Sequence, residues 1–170
     1  MACAYLLKFG GSLMSCVDYP NEPPTTGKVD VLLADASDDE WATLLEHTRS
    51  RRFEPGDTVM TAGEQDQSLY LVLEGQLEVL APQGRRRYRR IATVGAGSVI
   101  GELSFFDGGT RSASVRAITE AVLAELSPAE FDALAIANPV LARQLLFDLG
   151  RILAQRLRVA QGATTNAGIN

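Results

Sequence analysis

Apolar and polar positions divide the chain into a helical entry, a strand-rich middle and a helical end. Ser37-Asp38-Asp39-Glu40 has the form of a capping box, with Ser at the N-cap and Glu three residues on. Trp41, Leu44 and Leu45 then recur at helical spacing, so a helix is predicted to start near Ser37. From Arg52 to Leu126 the pattern shortens. Leu69 to Leu73, Leu77 to Leu80, Ile91 to Val94, Val115 to Ile118 and Val122 to Leu126 read as strands. Pro55-Gly56 is a turn pair and Gly75 a hinge. Roughly eight short strands punctuated by glycine predict an antiparallel sandwich or barrel. Ser127-Pro128-Ala129-Glu130 opens a further helix, combining a capping box with Pro at the first helical position. Asn138-Pro139 opens the last helix, with Leu141, Leu145, Leu149, Ile152, Leu153 and Leu157 on one broad face. That face either packs wholly on its own domain or also pairs with a second copy as a homodimer.

Length and composition narrow the setting. A chain of 170 residues, 46% hydrophobic and 22% charged, fits one compact domain with tails. We expect an N-terminal tail over 1–30, the domain over 31–161 and a frayed tail over 162–170. Tyr19 to Gly27 is rich in Pro and Gly, as a loop is. A net charge of −5 lacks the basic balance of a nucleic-acid binder. Cys3 and Cys16 read as free thiols in a reducing compartment, so the expected location is cytoplasmic. The longest early apolar run, Ala2 to Leu7, ends at Lys8, far short of a membrane span. His47 stands alone, which leaves no zinc site and no metal. Arg85-Arg86-Arg87-Tyr88-Arg89-Arg90 is the densest charge run, read first as a solvated edge strand. Its sharper reading is a docking site for an acidic partner or lipid headgroups.

The chemistry concentrates between Gly101 and Ala113. Gly101 permits close backbone approach to a ligand. Glu102 to Phe106 has the length of one helical turn, whose free N–H groups favour an anion. Asp107-Gly108-Gly109 turns the chain back and brings Arg111 among small residues. A guanidinium there suits a phosphate, and Glu102 suits a sugar hydroxyl. The plainer alternative pairs Glu102 with Arg111 across the loop, as surface ion pairs commonly do.

These residues resemble the cyclic-nucleotide-binding domain family, which includes the catabolite activator protein and kinase regulatory subunits. The resemblance runs from about Leu33 to Val159. It includes Phe53-Glu54-Pro55-Gly56-Asp57, Ala62-Gly63-Glu64, Leu69 to Gly75 and Gly97 to Leu103. Its most specific part is the phosphate-binding cassette, Gly-Glu-Leu-Ser through Arg-Ser-Ala. The resemblance implies a mainly β fold: a β jelly roll with one N-terminal and two C-terminal helices. It implies that Glu102 accepts the ribose 2′-hydroxyl and Arg111 binds the exocyclic phosphate oxygens. Backbone N–H groups near Gly101, Leu103 and Ser104, with Ser112 and Ala113, complete the cradle. Val79, Ile91 and Val99 are implied as the base pocket. Many relatives carry Phe where this chain has Ile100. The base-capping residue on the last helix has two candidates, Arg158 and Gln161. The implied ligand is cAMP in preference to cGMP.

Four functions compete. A regulatory module shifts its last helix on binding nucleotide and signals to an effector protein. A transcription factor needs a DNA-binding domain, and nine residues after Gln161 hold none, so no DNA binding is expected. An enzyme on this architecture needs clustered histidines and carboxylates, and one histidine argues against it. A structural relative that no longer binds nucleotide is the alternative to the sensor.

Overall fold

The computed structural model describes residues 32–33, 36–83 and 87–166, with side chains described as far as Val159. The expected N-terminal tail, both cysteines, and Arg85 and Arg86 lie outside the described residues. Among them, helix α1 spans Asp38–Glu46. The strands are β1 Arg49–Phe53, β2 Thr58–Met60, β3 Leu69–Glu74, β4 Gln76–Pro82, β5 Tyr88–Gly95, β6 Val99–Ile100, β7 Ser114–Ala117 and β8 Ala121–Leu126. The short helix α2, Glu102–Asp107, stands between β6 and β7. Helices α3 Pro128–Ala137 and α4 Pro139–Asn166 end the chain.

The eight strands form two antiparallel sheets of four, in the orders β1-β8-β3-β6 and β2-β7-β4-β5. The chain passes from one sheet to the other at most connections, but β4 and β5 are a hairpin within the second sheet. Phe53, Met60, Tyr70, Val72, Leu77, Ile100, Val115 and Leu123 fill the space between the sheets. The other side of the first sheet carries Leu69, Leu71, Val99, Ala124 and Leu126. These pack against Leu44 of α1, Leu134 of α3 and Leu141, Leu145, Leu149 and Ile152 of α4. Fully burying each such leucine is worth about 2–3 kcal/mol. This is the expected jelly roll, with its helices collected on one face.

Local sequence explains the helix starts. The Ser37 and Ser127 hydroxyls each accept from the backbone N–H three residues on. Glu40 and Glu130 reciprocate by accepting from the backbone N–H of the serine. The Asn138 side chain accepts from the Leu141 N–H at 3.1 Å. At the other edge of the helical core, Leu32 and Leu33 are buried, and the Leu33 N–H donates to Asp148 of α4 at 2.8 Å.

Three expectations need correction. The first strand begins at Arg49, ahead of Arg52, because Arg49-Ser50-Arg51-Arg52 faces solvent and offers no apolar alternation to read. The last helix continues to Asn166, past Gly162, since one glycine costs a helix only about 1 kcal/mol. Leu157 does not join the buried face of α4 and is exposed. Five residues beyond Ile152 it has rotated away by well over a quarter-turn, and its place on the inner face falls to Arg156.

Gly75 lies between β3 and β4 with φ +89°. A Cβ there would overlap the Glu120 carbonyl oxygen and approach Ala121 Cα at 2.7 Å. Replacing Gly75 by Ala is expected to lower stability by about 2–4 kcal/mol in urea denaturation, combining positive-φ strain with a backbone clash. A loss below about 1 kcal/mol, the cost of strain alone, would show that the hinge relaxes.

Candidate functional site

The chain leaves β6 at Ile100, reverses at Gly101 (φ +83°), and enters α2. A Cβ on Gly101 would sit on the Arg111 guanidinium and 2.8 Å from the Ser68 carbonyl oxygen. Glycine is required there because an arginine occupies the space beneath it.

Arg111 is only 3% exposed. Its Nη1 donates to the Gly101 carbonyl at 3.1 Å and to Ser104 Oγ at 2.6 Å. Its Nη2 donates to Asp66 Oδ2 at 2.5 Å and to the Ser68 carbonyl at 2.6 Å. The guanidinium also lies 5.6 Å from the centre of the Tyr70 ring. The backbone locks the same loop: the Arg111 N–H donates to the Glu64 carbonyl and the Gly63 N–H to the Arg111 carbonyl. A guanidinium has five N–H donors. The Nη groups thus meet acceptors, whereas Nε is buried with no hydrogen-bond partner among the described residues. A buried donor left open costs about 1–3 kcal/mol.

The start of α2 adjoins the guanidinium. Gly101 caps α2 in the left-handed conformation, and no side chain makes an N-cap hydrogen bond there. Ser104 is buried, Leu103 is exposed, and Ser112 and Ala113 run on towards β7 outside regular structure. No turn or loop bond among the described residues is donated by the Ser112 or Ala113 N–H.

Glu102 and Arg111 do not pair with each other. Glu102 is 7% exposed, and its Oε1 accepts from Arg156 Nη1 of α4 at 2.5 Å. Arg156 Nη2 donates to the Val99 carbonyl at 2.9 Å. The first turn of α2 is therefore tied to the last helix.

The apolar candidates separate. Val79 packs against the inter-sheet cluster. Ile91 sits at a bulge where β5 gains a residue against Val79 and Leu80, and it is 48% exposed. Val99, expected to line the base pocket, instead faces the helices and is wholly buried there. Strand alternation turns its neighbour Ile100 to the inter-sheet side. Of the base-capping candidates, Arg158 is exposed and the Gln161 side chain lies outside the described residues.

Four residues of the site escaped the sequence reading: Asp66, Ser68, Tyr70 and Arg156. The signal for Arg156 was present, since it continues the Leu145, Leu149, Ile152 spacing on the buried face of α4. A charge at a core position calls for a partner. Asp66 accepts from the Ser68 N–H at 2.9 Å, an Asx turn of the kind that Asp-x-Ser sequences make.

Fold and site together define a β jelly roll that holds a buried, hydrogen-bonded arginine beneath the start of a short helix. The family model described as "Cyclic nucleotide-binding domain" matches residues 50–138, and the chain belongs to that family. The chain is 32% identical to the cyclic AMP receptor protein of Thermus thermophilus over 122 residues, 72% of this chain and 55% of that protein. It is 30% identical to an uncharacterized NTE family protein of Mycobacterium tuberculosis over 124 residues, 73% of this chain and 21% of that protein. A crystallised cyclic nucleotide-binding domain from Methylobacillus flagellatus superposes with a TM-score of 0.72 at 29% identity, covering 82% of this chain and 78% of that one. The chain thus spans about half of the receptor and about a fifth of the NTE-family protein.

Asp66 gives the site a pH signature. Burial raises its pKa, but hydrogen bonds from the Ser68 backbone, Arg111 and the Ser68 side chain, with the Arg111 charge, outweigh burial. The carboxyl is held below its ordinary 3.8. Burial, then the Asp66 and Glu125 charges, pushes the Tyr70 hydroxyl up to about 12, so it stays a donor to Asp66. A depressed carboxyl contributes stability that is complete above its unfolded pKa and is lost as pH falls through the folded one. Wild type is therefore expected to be more stable than Asp66→Asn near neutrality, with the difference shrinking below pH 3.8 in urea denaturation. A difference that stays constant with pH would contradict the charge pairing.

Proposed function

We propose that this chain is a cyclic-nucleotide-sensing regulatory domain, non-enzymatic, that takes cAMP in preference to cGMP and signals to an effector through α4. The observation that carries the reading is Arg111: buried, fixed by Asp66, Ser68, Gly101 and Ser104, with Nε left open beside an uncapped helix start. A cyclic phosphate oxygen completes that donor. Gly101 allows the approach, and backbone N–H groups of Leu103, Ser104, Ser112 and Ala113 surround the phosphate. The ribose 2′-hydroxyl donates to Glu102. Val79, Ile91 and Ile100 line the base pocket. The Thermus relative's description as a cyclic AMP receptor favours cAMP. A cytoplasmic setting belongs to the same proposal, as does a domain over 31–161.

Glu102 supplies the output. A ribose hydroxyl on its carboxylate changes the pairing with Arg156, and Arg156 is part of α4. Nucleotide thereby binds the two positions of α4 with different affinity and shifts their populations.

The outer side of α4 supports a homodimer. Val140, Leu146, Phe147 and Leu157 are exposed along it, with Phe147 at 69%. Leu146 and Phe147 border a shallow concavity of about 580 Å³ with Gly150, where a Cβ meets nothing within 4 Å. A small residue amid exposed apolar ones lets a second helix approach closely.

Calorimetric titration with cAMP and cGMP tests the ligand. Saturable binding of cAMP is expected, weakened about 100-fold or more in Arg111→Ala, the equivalent of about 2.7 kcal/mol of charge-assisted bonds. No heat with either nucleotide at millimolar concentration sinks the sensor. Unchanged affinity in Arg111→Ala sinks the residue assignment alone. Sedimentation velocity tests the dimer: wild type is expected to sediment as a dimer and Phe147→Glu as a monomer, and a monomeric wild type contradicts it.

A further inference from the structure

The arginines on the sheets are compensated, except those at the start of β5. Arg49 pairs with Glu130, Arg51 with Glu125, Arg52 with Glu120 and Arg116 with Glu78. Arg87, Arg89 and Arg90 have no ionic partner among the described residues. They flank or begin β5, which ends its sheet, so its outer edge meets no further strand among the described residues. Tyr88 to Ile91 is exposed throughout, with Tyr88 at 56%.

Register decides what this edge fits. Leu77 and Val79 face the inter-sheet space, so Ala81 shares that side. Ala81 pairs with Arg89, and Leu80 pairs with Arg90. Cross-strand partners lie on the same side of a sheet. Arg89 therefore stands on the concave side and Arg90 on the convex side. A flat anionic surface engages charges on one side only. An extended chain laid along the edge alternates its own side chains and meets both.

We propose that β5 is a docking edge for an extended acidic segment of a partner protein, added as a fifth strand beside Tyr88–Ile91. Main-chain hydrogen bonds supply attachment, and carboxylates opposite Arg87, Arg89 and Arg90 supply selection. Charge on an edge strand ordinarily guards against indiscriminate pairing. Here the guard repels a second β5 and attracts an acidic strand, so a second copy of this edge is not the occupant. None of these arginines is a proposed nucleotide contact, so failure of this proposal leaves the sensor reading intact.

Fluorescence anisotropy on the nucleotide-free protein tests it, with a fluorescein-labelled, Glu-rich octapeptide of high β-propensity as probe. Saturable binding is expected, weakened about tenfold or more in the charge-reversed Arg87→Glu/Arg89→Glu/Arg90→Glu protein. Methylating alternate backbone nitrogens of the probe, at unchanged charge, is expected to weaken binding by a similar factor of about ten. Should the triple variant misfold by circular dichroism, Arg89→Ala/Arg90→Ala replaces it, with about a threefold loss expected. Absence of saturable binding overturns the proposal, as does an unaffected arginine variant. Equal binding of the methylated probe reduces the edge to a charge patch and also overturns it. Tighter arginine-dependent binding to phosphatidylglycerol vesicles or duplex DNA would falsify the choice of an acidic strand.

Discussion

A guanidinium inside a small β-structure is the constraint around which the site is organised. A charge taken out of water must be paired and hydrogen-bonded, or the fold loses several kcal/mol. Arg111 meets that demand by recruiting two separate stretches of chain: Asp66, Ser68 and Tyr70 on one side, Gly101 and Ser104 on the other. The loop before β3 and the loop after β6 are thereby fixed to each other. The glycine at 101 and the serine at 104 follow from the same requirement, since one makes room for the guanidinium and the other accepts from it.

A second charge pair carries the site outward. Glu102 starts α2 and is held by Arg156, whose neighbours on α4 are the leucines of the helical core. Asp148, further back on α4, accepts from the Leu33 N–H. One helix thus touches both the candidate ligand site, through Arg156, and the entry of the domain, through Asp148 two turns earlier. Displacing α4 alters both contacts together. The helices are gathered on one sheet, so among the described residues no helix covers the outer face of the second sheet and no strand pairs with the outer edge of β5.

Much of this was legible in the sequence because the relevant signals are local. The capping boxes at Ser37 and Ser127 mark both helix starts, and the strands of the core announce themselves by apolar runs. Gly101, Glu102 and Arg111 stand close enough in sequence to be read as one loop. What escaped depends on tertiary partners. Asp66 lies far from Arg111 along the chain, and nothing in the Gln65 to Ser68 stretch signals a buried cation. Arg156 was concealed among leucines, although an arginine at a core position is itself a clue. Val99 was placed by the resemblance alone, and a two-residue strand offers no alternation from which to fix its facing; it turns to the helices. The exposed strand β1 has the opposite difficulty: its residues are polar, and only pairing with β8 makes them a strand.

The central claim is that the open Nε–H of Arg111 receives the phosphate. Its most direct test is NMR of ¹⁵N-arginine-labelled protein, observing the Arg111 Nε–H resonance on addition of cAMP. The account predicts a resonance that slows in exchange with water and gains a scalar coupling to the ligand phosphorus. Saturation with cAMP that leaves the Arg111 Nε–H unshifted and uncoupled would contradict it.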